Sequence, residues 1–125
     1  MSDPHPLDPQ ILLQLQELEA ERPGLMKELI RLFVADAPRQ MRQIEGAYAR
    51  RDPEPLRQSA HFLRSGALAL GLGGIASRAH HFEHLPVDAY GGRDEDAGIV
   101  ELRAEVHRVL LALLKVMKDS GLPGP

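Results

Sequence analysis

The chain contains no cysteine. Disulfides and thiolate metal sites are therefore excluded, and a reducing compartment fits the sequence without being required by it. A charged-then-apolar leader is missing, as is any apolar run approaching about eighteen residues, so neither a signal peptide nor a membrane span is expected. The expectation is a soluble, cytoplasmic protein. There is no basic excess: 15 Lys and Arg face 18 Asp and Glu, for a formal net charge of -3. That balance argues against nucleic acid as the main ligand, since binding a phosphate backbone needs a clustered basic surface. No segment alternates apolar and polar residues as a half-buried strand does. A glycine-rich loop of the GxxxxGK kind is also absent, so ATP binding and self-phosphorylation are not expected.

What is present reads as helix almost throughout. With 125 residues and 43% hydrophobic content the chain makes one domain that can bury a core without staples. Residues 1–7 should be loose, as should 121–125, leaving a domain over 8–120. Asp8 and Pro9 open a short first helix that buries Ile11, Leu12, Leu15 and Leu18. After Arg22-Pro23-Gly24 a long helix to about Arg50 turns Leu25, Leu29, Phe33, Ala37, Met41, Ile44 and Tyr48 inward. Pro38 should bend it without ending it. Asp52-Pro53 starts a third helix that reaches about Leu70 and stops at Gly71. A fourth, over about 74–85, offers Ile75, Ala79 and Phe82 to the core. Pro86 to Gly98 has no periodicity and is expected to be a flexible loop. The last helix, about 97–120, buries Leu102, Val106, Val109, Leu113 and Val116. The expected fold is all-α, an antiparallel up-down four-helix bundle with an additional short N-terminal helix.

The third helix carries the most informative stretch. Helical spacing puts Leu56, Ala60, Leu63, Ala67 and Leu70 on one stripe and Arg57, His61, Arg64, Ser65 and Leu68 on another face. His61 is thus expected to look out of the bundle, with a fixed cation one turn later and two very small residues beside it. Packing does not ask for that combination. It suits a nucleophile that carries a phosphoryl group and is reached by another protein: a neutral imidazole nitrogen has a free lone pair near pH 7, and its phosphoramidate is labile enough to be passed on.

Ala60-His61-Phe62-Leu63-Arg64-Ser65-Gly66-Ala67, followed by Leu70-Gly71, resembles the motif of the histidine phosphotransfer (HPt) domains of two-component phosphorelays. Leu32 to Pro38 is similar to that family's preceding helix and Ala79 to Glu83 to its following one, so the resemblance covers roughly residues 8–118. Arg64 stands where the family more often has lysine, and Ser65 where it more often has glycine, with Gly66 one place late. The resemblance implies a phosphocarrier without kinase activity of its own, accepting and donating the phosphoryl group at Nε2 of His61. Its implied partners are response-regulator receiver domains and a (hybrid) sensor histidine kinase. The receiver supplies the acceptor aspartate, a lysine and Mg²⁺; this chain binds no cofactor and is expected to be a monomer. Glu83 and His80 match imidazole-orienting and site-lining positions of the chemotaxis-kinase phosphotransfer domain. Arg64 can hydrogen-bond phosphoryl oxygens, and Arg57, Ser65, Gly66 and Leu68 form the expected docking face.

Three other readings compete. A scaffold could bind a receiver without transferring phosphate, which the Ser65 departure favours. A metal-binding bundle could use the i, i+4 pair His80 and His84, with His81 and Glu83 between them, but that pair alone supplies only two ligands and the inward positions of the long second and last helices are apolar, so no metal site is expected. A helix-turn-helix DNA binder lacks the basic face it needs.

Overall fold

The structure, a computed structural model, describes residues 13, 16, 17 and 19–119. The expectations for residues 1–7, for Asp8, Pro9, Ile11, Leu12, Leu15 and Leu18, and for 120–125 lie outside the described residues. Among the described residues, helical positions at 13, 16, 17 and 19–21, in keeping with the expected N-terminal helix, precede four helices and one short 3₁₀ turn: α1 (Leu25–Arg50), α2 (Pro53–Ala69), α3 (Gly73–Glu83), the 3₁₀ turn (Val87–Ala89) and α4 (Arg93–Asp119). There is no strand among the described residues, and no helix there is long and apolar enough to cross a membrane.

Each helix starts and stops for a local reason. Gly24 takes a left-handed φ of 92° ahead of α1. The Glu19 carboxylate accepts hydrogen bonds from the backbone N–H of Gly24 at 2.7 Å and Met26 at 3.0 Å, which satisfies donors that a helix start otherwise leaves open. Pro38 lies inside α1, which runs through it as one helix. Arg51, also left-handed at φ 57°, turns the chain, and Pro53 enters α2 at its first position, where a missing N–H costs nothing. Asp52 occupies the N-cap of α2, but its side chain makes no capping hydrogen bond. Gly71, at φ 70°, closes that helix in the left-handed conformation open to glycine.

The two-residue and three-residue connections on either side of α2 force antiparallel neighbours. Helix α1 packs on α2 and α4, and α3 packs on α2 and α4, which closes a four-helix bundle. Ile30, Phe33, Ala37, Met41, Ile44 and Tyr48 of α1 are buried, as are Leu56, Ala60, Leu63 and Ala67 of α2. Leu25 and Leu29 are only half-buried, and Ile30 takes the core position nearest the start of α1. At the other end of the chain Met117 is buried where Val116 was expected, Val116 being half-buried beside it.

The stretch from Pro86 to Gly98 is not the flexible loop expected. It contains the 3₁₀ turn and the first turns of α4, which begins at Arg93. Tyr90 between them is 2% exposed and stacks on Tyr48 with ring centroids 5.3 Å apart. Asp94, Glu95 and Asp96 fill the first turn of α4, where the helix dipole favours negative charge. What looked like an aperiodic acidic loop is therefore a helix start. The Tyr48 hydroxyl donates to Asp96 Oδ1 at 2.7 Å and accepts from the Gly91 N–H at 2.9 Å. Burial, reinforced by that hydrogen bond to Asp96, raises the Tyr48 pKa. The Phe82 ring meets Tyr48 edge-on at 6.1 Å, so α3 is anchored to the same cluster one residue before Glu83.

Candidate functional site

Rotation of α3 about its axis decides what Glu83 can reach. Ile75, Ala79 and Phe82 point into the core. On the side facing α4, Arg78 bonds Glu101 at 2.7 Å and Glu105 at 2.8 Å, and His81 Nε2 lies 2.6 Å from Glu95. With that side held by α4, the helical period turns Glu83 toward α2 and leaves His80 and His84 facing outward.

On α2 the stripe of Leu56, Ala60, Leu63, Ala67 and Leu70 is buried, while Arg57, His61, Ser65 and Leu68 are exposed. The His61 side chain is 53% exposed and Glu83 only 17%. Glu83 Oε2 lies 3.2 Å from Nδ1 of His61, and Glu83 Oε1 accepts from Arg64 Nε at 2.9 Å. Arg64 Nη2 also comes within 3.3 Å of His61 Nδ1. The two contacts at Nδ1 cannot both be hydrogen bonds, because a carboxylate requires Nδ1 to carry the proton and a guanidinium requires its lone pair. An imidazole lone pair held 3.2 Å from a carboxylate oxygen would face like charge, and the Arg64 guanidinium already bonds Glu83 through Nε, so the arrangement favours Nδ1–H donating to Glu83, with Arg64 Nη2 contributing charge alone. In that tautomer Nε2 keeps its lone pair, and among the described residues it has no hydrogen-bond partner.

Glu83 itself feels opposing influences. Partial burial pushes its carboxyl up, but the hydrogen bonds from His61 and Arg64, together with their charges, outweigh this and hold it below the ordinary carboxylate value. The carboxylate is thus ionised at neutral pH and links the two α2 side chains.

Other expected site residues fall differently. His80 is not brought to His61. Its ring lies against that of His84, centroids 4.2 Å apart, because residues one turn apart on an outward helix face meet each other before they meet a neighbouring helix. Gly66 does not simply lower the exposed face. It is half-buried, and a Cβ there would sit 3.3 Å from the Phe33 ring, so this glycine lets α1 and α2 approach closely. It helps line a groove of about 410 Å³ with Leu29, Leu32, Phe33, Asp36 and Phe62.

That groove was missed in reading the sequence. Leu32 and Phe62 are each more than half exposed, with the Phe62 ring 6.2 Å from that of His61, and Leu68 is equally exposed two turns along α2 on the His61 face. The signal available was two large apolar side chains at positions that the helical period assigns to solvent. The metal expectation also changes in one respect. A Glu83 oxygen joins the ring nitrogens of His80 and His84, with all three ligand atoms within 4.8 Å of one another, so the pair is not limited to two ligands.

No curated protein and no solved structure matches the chain. The Hpt domain family model matches residues 28–114, a shorter span than the resemblance over 8–118 but one that contains α2, α3 and every residue of the His61 site. Because that span is most of the chain, the protein belongs to the Hpt domain family, whose members are the histidine phosphotransfer carriers of phosphorelays.

Proposed function

We propose that His61 accepts a phosphoryl group at Nε2 from a receiver-domain aspartate, or from a sensor kinase, and returns it to a second receiver. The observation that carries this reading is the Glu83 carboxylate at His61 Nδ1, which holds the proton on the inner nitrogen and leaves the lone pair on the outer one. Attack by Nε2 on phosphorus forms the N–P bond as the aspartyl O–P bond breaks. The ring becomes cationic, and the Glu83 carboxylate stabilises that charge through Nδ1–H. Arg64 lies beside the ring and offers guanidinium N–H groups to the phosphoryl oxygens. Phosphoryl transfer depends mainly on positioning and charge neutralisation, and this chain's share is a presented nucleophile with one cation next to it.

The only carboxylate among these three residues is engaged by His61 and Arg64, so the site lacks the set of free oxygens that Mg²⁺ takes. In this reading Mg²⁺ arrives with the receiver. Docking covers Arg57, Ser65 and Leu68, which share the exposed face of α2 with His61, and the Leu32 and Phe62 side chains at the rim of the groove between α1 and α2. The apolar rims supply contact area, and Arg57 and Arg64 complement an acidic phosphorylation pocket.

The test is transfer of labelled phosphate from a phosphorylated receiver to wild type and to His61→Gln. Wild type should gain acid-labile label. The variant should gain none while keeping its helical circular-dichroism signal, and label retained there would overturn the assignment. Receiver binding without any transfer by wild type would favour the scaffold reading.

A further inference from the structure

The outward face at the end of α3 carries two histidines, His80 and His84, that the His61 site does not use. His84 Nδ1 lies 3.0 Å from the backbone carbonyl oxygen of His80. A carbonyl can only accept, so Nδ1 of His84 carries the proton and its Nε2 holds an outward lone pair. A histidine whose inner N–H is tied to a carbonyl is the usual arrangement of a metal-ligating imidazole. The His80 ring stands beside it at 4.2 Å with 41° between planes, and a Glu83 oxygen completes three ligand atoms within 4.8 Å of one another. Two donors on one tetrahedral zinc ion sit about 3.3 Å apart, given bonds of about 2.0–2.1 Å. Exposed histidines at i and i+4 close the remaining gap by small χ rotations, with the backbone unmoved. His81, the neighbouring histidine, is committed to Glu95 on the opposite side.

We propose that His80, Glu83 and His84 bind one divalent transition-metal ion of the zinc type, with water as the fourth ligand, and that the ion competes with His61 and Arg64 for the Glu83 carboxylate. Two imidazoles and one carboxylate suit zinc and its neighbours and do not suit Mg²⁺, which takes oxygen ligands. The site therefore does not duplicate the metal of phosphoryl transfer. Its occupancy draws the Glu83 charge toward α3's outer face, which weakens the hold on Nδ1–H of His61 and on the Arg64 guanidinium. Metal binding itself does not depend on the phosphocarrier reading; the effect on transfer rests on it.

Tag-free full-length protein is titrated with Zn²⁺ alone, then with Mg²⁺ alone, by calorimetry and by NMR of the histidine ring nitrogens. One Zn²⁺ per chain is expected, with shifts at the His80 and His84 rings and a smaller change at His61, and Mg²⁺ should move none of them. His80→Ala and His84→Ala, both exposed positions, should each weaken Zn²⁺ binding about tenfold or more with helical content unchanged. Absence of binding at millimolar Zn²⁺, or unchanged affinity in the double variant, overturns the site. Zinc binding that leaves the His61 ring unmoved overturns the competition for Glu83. Transfer measured in excess chelator reports on the His61 reading separately, so failure of that reading is distinguishable from failure of the metal site.

Discussion

Glu83 and His61 meet across two helices, carboxylate Oε2 to imidazole Nδ1 at 3.2 Å, while the other oxygen of the same carboxylate takes the Arg64 Nε–H at 2.9 Å. One buried-edge anion thus orients both the ring and the cation beside it. The consequences of that shared carboxylate can be separated by substitution.

Glu83→Gln keeps the shape and an acceptor oxygen but removes the charge. The ring-nitrogen NMR signals of His61 should then report a larger share of the Nε2–H tautomer, and phosphoryl acceptance should slow by about a hundredfold, the lower end for losing one oriented electrostatic group. Receiver affinity should be nearly unchanged. Glu83→Ala should disturb the tautomer further. Identical His61 spectra in wild type and both variants would show that Glu83 does not orient the ring.

Arg64 has two partners, so its substitutions should not be equivalent. Arg64→Ala removes charge from the ring and releases one Glu83 oxygen, and should shorten the phosphohistidine lifetime or slow transfer. Arg64→Lys restores the charge without the planar fork that reaches Glu83 through Nε, so recovery should be partial. Wild-type transfer and hydrolysis rates in the alanine variant would reduce Arg64 to a solvated surface residue.

Acid should break the link at Glu83 late. Its carboxyl is held below the ordinary value of 4.5 by His61 and Arg64 in the folded chain and returns to that value on unfolding. The stabilisation it contributes is therefore complete above about pH 4.5 and is lost as pH falls through the lowered folded value. A carboxyl-carbon NMR titration should show a midpoint for Glu83 below 4.5 that moves upward in Arg64→Ala. A midpoint insensitive to Arg64 would count against the ion pair.

Tyr48→Phe tests the anchor beneath the site. It deletes the hydrogen bonds to Asp96 and from Gly91 but keeps the ring that stacks on Tyr90 and meets Phe82. Stability should fall by about 1 kcal/mol, read as a lower denaturant midpoint with an unchanged slope. Transfer at a temperature where the variant is folded should be close to wild type. A large loss of transfer in fully folded protein would mean that Tyr48 positions Glu83 through more than ring packing.

The helices and their inward faces were legible in the chain itself because a period of 3.6 residues is a local property. Leu56, Ala60, Leu63, Ala67 and Leu70 define a stripe before any partner is known, and with that stripe buried His61, Ser65 and Leu68 must face out. Gly71 and Pro53 could be read as punctuation for the same reason, since each restricts or frees its own φ. Local pattern failed where a long-range contact organised the backbone. The run from Pro86 to Gly98 has no period of its own, and it is ordered by Tyr90 packing on Tyr48 and by acidic side chains at a helix start. The rotation of α3 was likewise undecided until Arg78 and His81 met the carboxylates of α4. That rotation turned Glu83 to His61 and kept the pair of His80 and His84 outward, while the packing of α1 on α2 left Leu32 and Phe62 as a shared rim. Sequence spacing says which residues lie on one helix face, but only packing between helices says which faces meet.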